Sequence, residues 1–236
     1  MASLSSPFII VLGASGGLGA STWSAALARR LSLHLGECLL VDGDLRGGGL
    51  DMTCGIEHVP GLRWPDLARL RGRTPCERLL AALPQGEVPV LSAGGHGASV
   101  TTAVVDDVLA SVRGLVPVVL DLPARSVVEP DLLAGAAATH VVAGVSARQL
   151  ADAGVTLGAL GDAAVGLVTR SDSALPSDLD EVLDQLAVRH LAHVRTDPRV
   201  RRDGERGEWP GGRGPLRDVA DRVALDLVDA LSEGVA

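Results

Sequence analysis

Short apolar runs alternate along this chain with longer stretches in which apolar residues recur every three or four positions. Residues 8–12, Phe-Ile-Ile-Val-Leu, form a continuous, β-branched-rich run between Pro7 and Gly13, the pattern of a strand buried on both faces. A helical pattern follows from about Ala20 through Ala25, Ala26, Leu27 and Ala28 to Leu35, and stops at Gly36. The alternation then repeats. Segments 38–41, 88–91 and 117–120 read as strands, as do 141–142, 165–168 and 191–194. Helices are expected at 99–113, 146–160 and 177–188, with short helical pieces between Leu62 and Leu83. The tail from 215 to 231 carries Leu216, Val219, Ala220, Val223, Leu225 and Leu227 as a helical stripe, and 203–214 before it reads as a flexible surface loop. Repeated β-then-α units with short connections predict an α/β protein: a doubly wound, mostly parallel sheet with helices on both faces.

Composition narrows this picture. The 236 residues suit one domain, and with 47% apolar but only 2% aromatic residues its core must be filled by Leu, Val and Ala. The net charge of −8 gives no strong nucleic-acid signal. Cys38, Cys54 and Cys76 fit neither a disulfide framework nor a zinc site, which points to reduced thiols. Residues 1–6 lack the basic start of a secretory leader, and no apolar stretch is long enough for a transmembrane segment. A cytoplasmic protein is expected.

The first βα turn carries the chemistry. Gly-Ala-Ser-Gly-Gly-Leu-Gly-Ala-Ser-Thr, residues 13–22, places four glycines and three hydroxyls at a helix start. Such a turn offers free backbone N–H groups and the positive end of a helix dipole, which together attract an anion. A phosphate loop normally sets a lysine against the β- and γ-phosphates. Ala20 stands in that slot, and all 21 basic residues of the chain are arginine. The spacing Gly13, Gly17, Gly19 also matches a dinucleotide-binding turn, with Asp42 as a ribose acceptor. A short-chain dehydrogenase of that kind needs a catalytic tyrosine and a lysine, and the chain has neither, so only a non-catalytic dinucleotide module remains on that side.

Taken in order, the motifs resemble the MinD/ParA-type ATPases, whose deviant loop reads Lys-Gly-Gly-x-Gly-Lys-Thr-Thr. Residues 15–22, Ser-Gly-Gly-Leu-Gly-Ala-Ser-Thr, keep its glycines and hydroxyls and replace both lysines, with Ser15 and Ala20. Val-Asp-Gly-Asp at 41–44 resembles the first switch, Asp-Leu-Pro-Ala at 121–124 the second, and Asp-Pro-Arg-Val-Arg-Arg at 197–202 the loop that closes over adenine. Asp-Gly-Asp-Leu-Arg-Gly-Gly-Gly-Leu-Asp at 42–51 and Gly-Leu-Arg-Trp-Pro-Asp-Leu at 61–67 are most similar to the CpaE/TadZ-like branch, which includes the actinobacterial septum site-determining proteins (Ssd). The resemblance implies a single P-loop NTPase-like domain over residues 1–236 that begins directly at the ATPase strand. It also implies a homodimer, protein partners in the division or the pilus/secretion machinery, and recruitment to septum or pole.

The same resemblance assigns roles by position. Gly16, Gly17, Gly19, Ala20, Ser21 and Thr22 would hold the phosphates of ATP, Arg170 and Pro198 would lie near its base, Ser21 and Asp121 would hold Mg²⁺, and Asp44 would position the attacking water. Thr169 stands where the family has asparagine, which puts base recognition in doubt. Arg46 and Arg125 each follow an acid and are candidates for charge near the vacant lysine position. ATP is then expected to bind weakly or not at all, and hydrolysis to be very slow or absent. Without the lysine at position 15, dimerisation is expected to rest on ordinary burial near 45–64, through Leu50, Met52, Ile56 and Trp64. The arginines at 195–202 read as a solvated face or a nucleotide loop, and the acidic face of the last helix argues against a lipid anchor.

Overall fold

A computed structural model describes residues 6–161, 163–172, 175–177 and 179–233. Residues 1–5, on which most of the expectation about a leader falls, lie outside the described residues. The strands are β1 Phe8–Gly13, β2 Leu39–Asp42, β3 Val90–Leu91, β4 Val118–Leu122, β5 Ala138–Gly144, β6 Val165–Ser171 and β7 Arg189–Arg195. They form one sheet in the order β3-β2-β4-β1-β5-β6-β7, with every pairing parallel. The helices are α1 Ala20–Leu35, α2 Leu50–Cys54, α3 Cys76–Ala82, α4 Thr102–Val112, α5 Pro130–Ala134, α6 Ala147–Leu160, α7 Leu179–Gln185, α8 Pro198–Gly204 and α9 Gly214–Glu233. A short 3-10 turn spans Trp64–Leu67.

The continuous apolar runs are explained by two cores. Successive side chains of a strand point to opposite faces, so Phe8, Ile10 and Leu12 join Leu39, Val41, Val118 and Leu120 beneath α3, α4, α6 and α7. Ile9, Val11, Leu40 and Val119 meet α1 and α9 on the other face. Ala25, Ala26 and Ala28 of α1 are fully buried there, where their small side chains let helix and sheet approach closely. Leu216, Ala220, Val223 and Ala224 of α9 are buried in the same layer, so the terminal stripe is core packing except at Leu225, which is exposed.

The differences from expectation have local causes. Strand 88–91 contracts to Val90–Leu91 because Pro89 has no N–H for the ladder. Helices α2 and α5 are five residues each, too short to produce a readable period. The segment 203–214 is not a free surface loop. Trp209 is only 8% exposed and its Nε1 donates to Ala25 O at 2.9 Å, which ties this stretch to α1.

His140 is a buried titratable group whose neutral form the fold requires. His140 on β5 is enclosed beside Trp23, whose Nε1 donates to His140 Nδ1 at 3.2 Å, and burial pushes its pKa down to about 4. The unfolded chain takes up that proton near pH 6.5. Between the two values the unfolded state binds more protons at this residue, so the stability that neutral His140 contributes is lost as pH falls from about 6.5 to about 4. Urea melts at pH 7 and pH 4.5 should show wild type losing about 2 kcal/mol more than His140→Gln, which keeps an acceptor for Trp23. Equal losses would mean that His140 does not carry the effect.

Candidate functional site

The carboxyl ends of β1, β2, β4, β6 and β7 open onto a cleft of about 910 Å³. Its floor is the glycine turn between β1 and α1. Gly17 and Gly19 sit at φ +77 and +85, in the left-handed region that glycine enters without penalty. Gly19 caps α1 with no side-chain hydrogen bond, and the first turn carries no acid, so the helix itself places no side-chain acceptor on these N–H groups.

The residues given phosphate, base, magnesium or water roles from sequence all line this one cleft: Gly16, Gly17, Gly19, Ala20, Ser21, Thr22, Asp44, Asp121, Arg170 and Pro198. Asp121 is the penultimate residue of β4 and is 3% exposed. Burial pushes its carboxyl up to about 6, with Asp42 and Asp44 adding to the rise, while the hydroxyls of Ser21 and Ser24 hold it down. Ser24 Oγ donates to Asp121 Oδ1 at 2.8 Å, a contact that sequence reasoning missed although Ser24 lies one helical turn beyond Ser21. Asp44 accepts from Arg46 N at 3.3 Å, and Pro198 opens α8 behind the capping carboxylate of Asp197.

The fit to magnesium is partial. Among the described residues no cluster of three or more His, Cys, Asp or Glu can hold a metal. A hard cation here would take Ser21 and Asp121 and complete its shell from phosphate oxygens and water, the usual arrangement for Mg²⁺ with a nucleotide. The raised Asp121 carboxyl, crowded by like charge, is the group that such a cation would relieve.

Asp42 is not available to a ribose. Its carboxylate accepts three backbone N–H groups, from Asp44 at 2.9 Å, Leu50 at 3.0 Å and Ala93 at 3.2 Å. Strand order argues the same way. β4 lies between β1 and β2, whereas the dinucleotide-binding fold sets those two strands side by side. The dinucleotide reading is therefore dropped.

Neither arginine suggested for the missing charge supplies it. Arg46 is exposed and does not line the cleft. Arg125, at φ +61, donates from N to Gly13 O and from Nε to Ala14 O, and its Nη2 pairs with Asp152 at 2.8 Å. It braces the base of the loop. Thr169 is fully buried between His190 Nε2 at 2.9 Å and His193 Nδ1 at 3.0 Å, outside the cleft. Arg195, Arg201 and Arg202 line the cleft's far wall.

The 42–67 motifs form a latch. Asp51, 2% exposed, accepts from Arg63 Nε at 2.7 Å and from Ser92 Oγ at 2.6 Å. Arg63 Nη2 donates to Ile56 O and Val59 O, and Trp64 Nε1 donates to Asp42 O at 2.7 Å. This corrects the expected dimer surface. Leu50, Ile56 and Trp64 are 2%, 4% and 1% exposed within the single chain, and of the four residues proposed only Met52, at 60%, faces outward.

The fold is that of the MinD/ParA-type ATPases. A ParA family ATPase of Chlorobium tepidum superimposes with a TM-score of 0.71 at 16% identity, covering 94% of this chain and 99% of its own. MinD from the MinC:MinD cell division complex of Aquifex aeolicus gives 0.71 at 18% identity over 95% and 96% of the two chains. The septum site-determining protein MinD of Pyrococcus horikoshii, complexed with Mg-ADP, gives 0.62 at 18% identity over 98% and 99%. In sequence, the chain is 36% identical over 231 residues to the uncharacterized proteins MT3760 and Rv3660c of two Mycobacterium tuberculosis strains. That alignment takes in 96% of this chain, which spans 65% of the length of those relatives. No family model matches the chain. No helix among the described residues is long and apolar enough to cross a membrane.

Proposed function

We propose that this chain is a MinD/ParA-like positional regulator with a degenerate phosphate loop, which binds ATP with Mg²⁺ weakly and acts through partners rather than through turnover. The observation that carries this reading is the convergence of the loop, both switch-like acids and Pro198 on one cleft in which Ala20 leaves the lysine slot vacant. The Mg-ADP complex of the Pyrococcus horikoshii structure supports the choice of ligand, and MinC bound to MinD in the Aquifex aeolicus complex supports action through a protein partner. The resemblance of 42–51 and 61–67 to the CpaE/TadZ-like branch supports a role at the division septum or at a pilus or secretion apparatus, with recruitment from the cytoplasm to septum or pole. Self-association is a homodimer that persists without nucleotide, because Ser15 cannot reach across to a partner's phosphates as the signature lysine does.

Calorimetry with ATP, with and without Mg²⁺, tests the ligand. Ala20→Lys returns a cation to the β/γ position, and a charge-assisted hydrogen bond should tighten ATP binding about tenfold or more. Sedimentation of the same samples should show one association state with and without nucleotide. If Ala20→Lys folds normally and gains no affinity, the turn is not a phosphate loop. A cleft that takes up no nucleotide in either form makes the chain a scaffold.

A further inference from the structure

Arg170 stands at the carboxyl end of β6, in register with Gly144 of β5 and Val194 of β7. Its side chain runs back over the phosphate loop. Nη1 donates to Leu18 O at 3.1 Å, and Nε donates to Thr196 Oγ1 at 3.3 Å. The guanidinium tip lies where a methyl group at Gly19 would stand, so it rests directly against the turn. Arg63, Arg125 and Arg213 each reach a carboxylate. Arg170 is half-buried and, among the described residues, has no carboxylate within ion-pair distance. A partly desolvated cation without a counter-ion is costly unless an anion joins it.

The geometry points to Arg170 as the cation of this phosphate loop, supplied from β6 because α1 supplies none. The inference rests on the nucleotide reading above and deepens it by naming the residue and the part of the ligand it holds. The guanidinium approaches from the Leu18–Gly19 side, where backbone N–H groups of a phosphate loop cradle the α- and β-phosphates. Its Nη2 has no hydrogen-bond partner among the described residues, and a planar fork suits phosphate oxygens better than a point charge does. The γ-phosphate gains no equivalent, since Ala20 occupies the position from which lysine reaches it. The cleft thus recognises the diphosphate portion of a nucleoside phosphate and discriminates little between ADP and ATP.

The test is calorimetry of Mg-ADP and Mg-ATP with wild type, Arg170→Gln and Ala20→Lys at low and high salt. Wild type should bind the two nucleotides with comparable affinity. Arg170→Gln keeps an N–H donor at the Nε position for Thr196 and removes the charge. It should melt like wild type, bind both nucleotides about tenfold more weakly, and lose part of the salt dependence. Unchanged binding with unchanged melting would reduce Arg170 to a brace for the loop and overturn the inference alone. Strong preference of wild type for ATP would overturn the diphosphate assignment. No binding to wild type or to Ala20→Lys removes the nucleotide reading and this inference together. Should Arg170→Gln fail to fold, wild type still decides: Mg-ADP should slow phenylglyoxal modification of Arg170, read by peptide mass, and an unchanged rate overturns the assignment.

Discussion

Purified protein should turn over ATP about a hundred- to a thousandfold more slowly than a MinD/ParA-type enzyme that keeps its loop lysine. Phosphoryl transfer is catalysed mainly by fixed positive charge placed where negative charge spreads in the transition state. Removing one such donor typically raises the barrier by roughly 3–4 kcal/mol. On the proposed reading Ala20 and Ser15 stand where the deviant loop has its two lysines, and none of the remaining cations takes the place of either lysine at the γ-phosphate. Arg170 is tied to Leu18 and Thr196, Arg125 is paired with Asp152, and Arg195, Arg201 and Arg202 belong to the β7–α8 wall. Asp44 and Asp121 still face the cleft, but acids alone increase the negative charge that a transition state would have to bear. Steady-state phosphate release measures this directly, and turnover like that of a lysine-bearing relative would refute it. Ala20→Lys should restore affinity more than rate, because position 15 stays uncharged.

The part of this site that was legible in the sequence is the part written in local pattern. A β-branched run, a glycine turn and a helical stripe place the loop, and an acid at the end of an apolar run places Asp121 on the rim. What stayed hidden depends on contacts between residues far apart in the chain. Arg170 was matched to a base-proximal position because alignment orders residues along the sequence, whereas the side chain itself folds back onto Leu18, 152 positions away. Leu50, Ile56 and Trp64 looked like an exposed apolar patch among glycines. Their burial follows from α2, too short to show a period, and from polar groups that fasten the segment at its two ends. Asp42 was readable as a ribose acceptor only until its three backbone donors, two of them from Leu50 and Ala93, were visible.

That fastening carries the other large effect. Asp51→Ala should destabilise the fold by about 3 kcal/mol, the usual cost of breaking a buried charge pair. Asp51 is nearly inaccessible and satisfies Arg63 Nε and Ser92 Oγ at once, so its loss leaves the guanidinium without its counter-charge and the Nε and the hydroxyl without their acceptor. For a chain of this size such a loss corresponds to a melting temperature lower by roughly 6–12 °C. Arg63 also donates to the carbonyls of Gly61, Ile56 and Val59, so the 56–63 turn should loosen before the sheet does, and protease cleavage should concentrate there. Asp51→Asn retains one acceptor oxygen and should lose less. The decisive measurement is the double-mutant cycle with Arg63→Ala. Two residues that act through each other should together cost clearly less than the sum of their separate losses. Simple additivity would mean that the 2.7 Å pair is a contact without consequence, and that packing of Leu50, Ile56 and Trp64 alone holds the first switch-like loop in place.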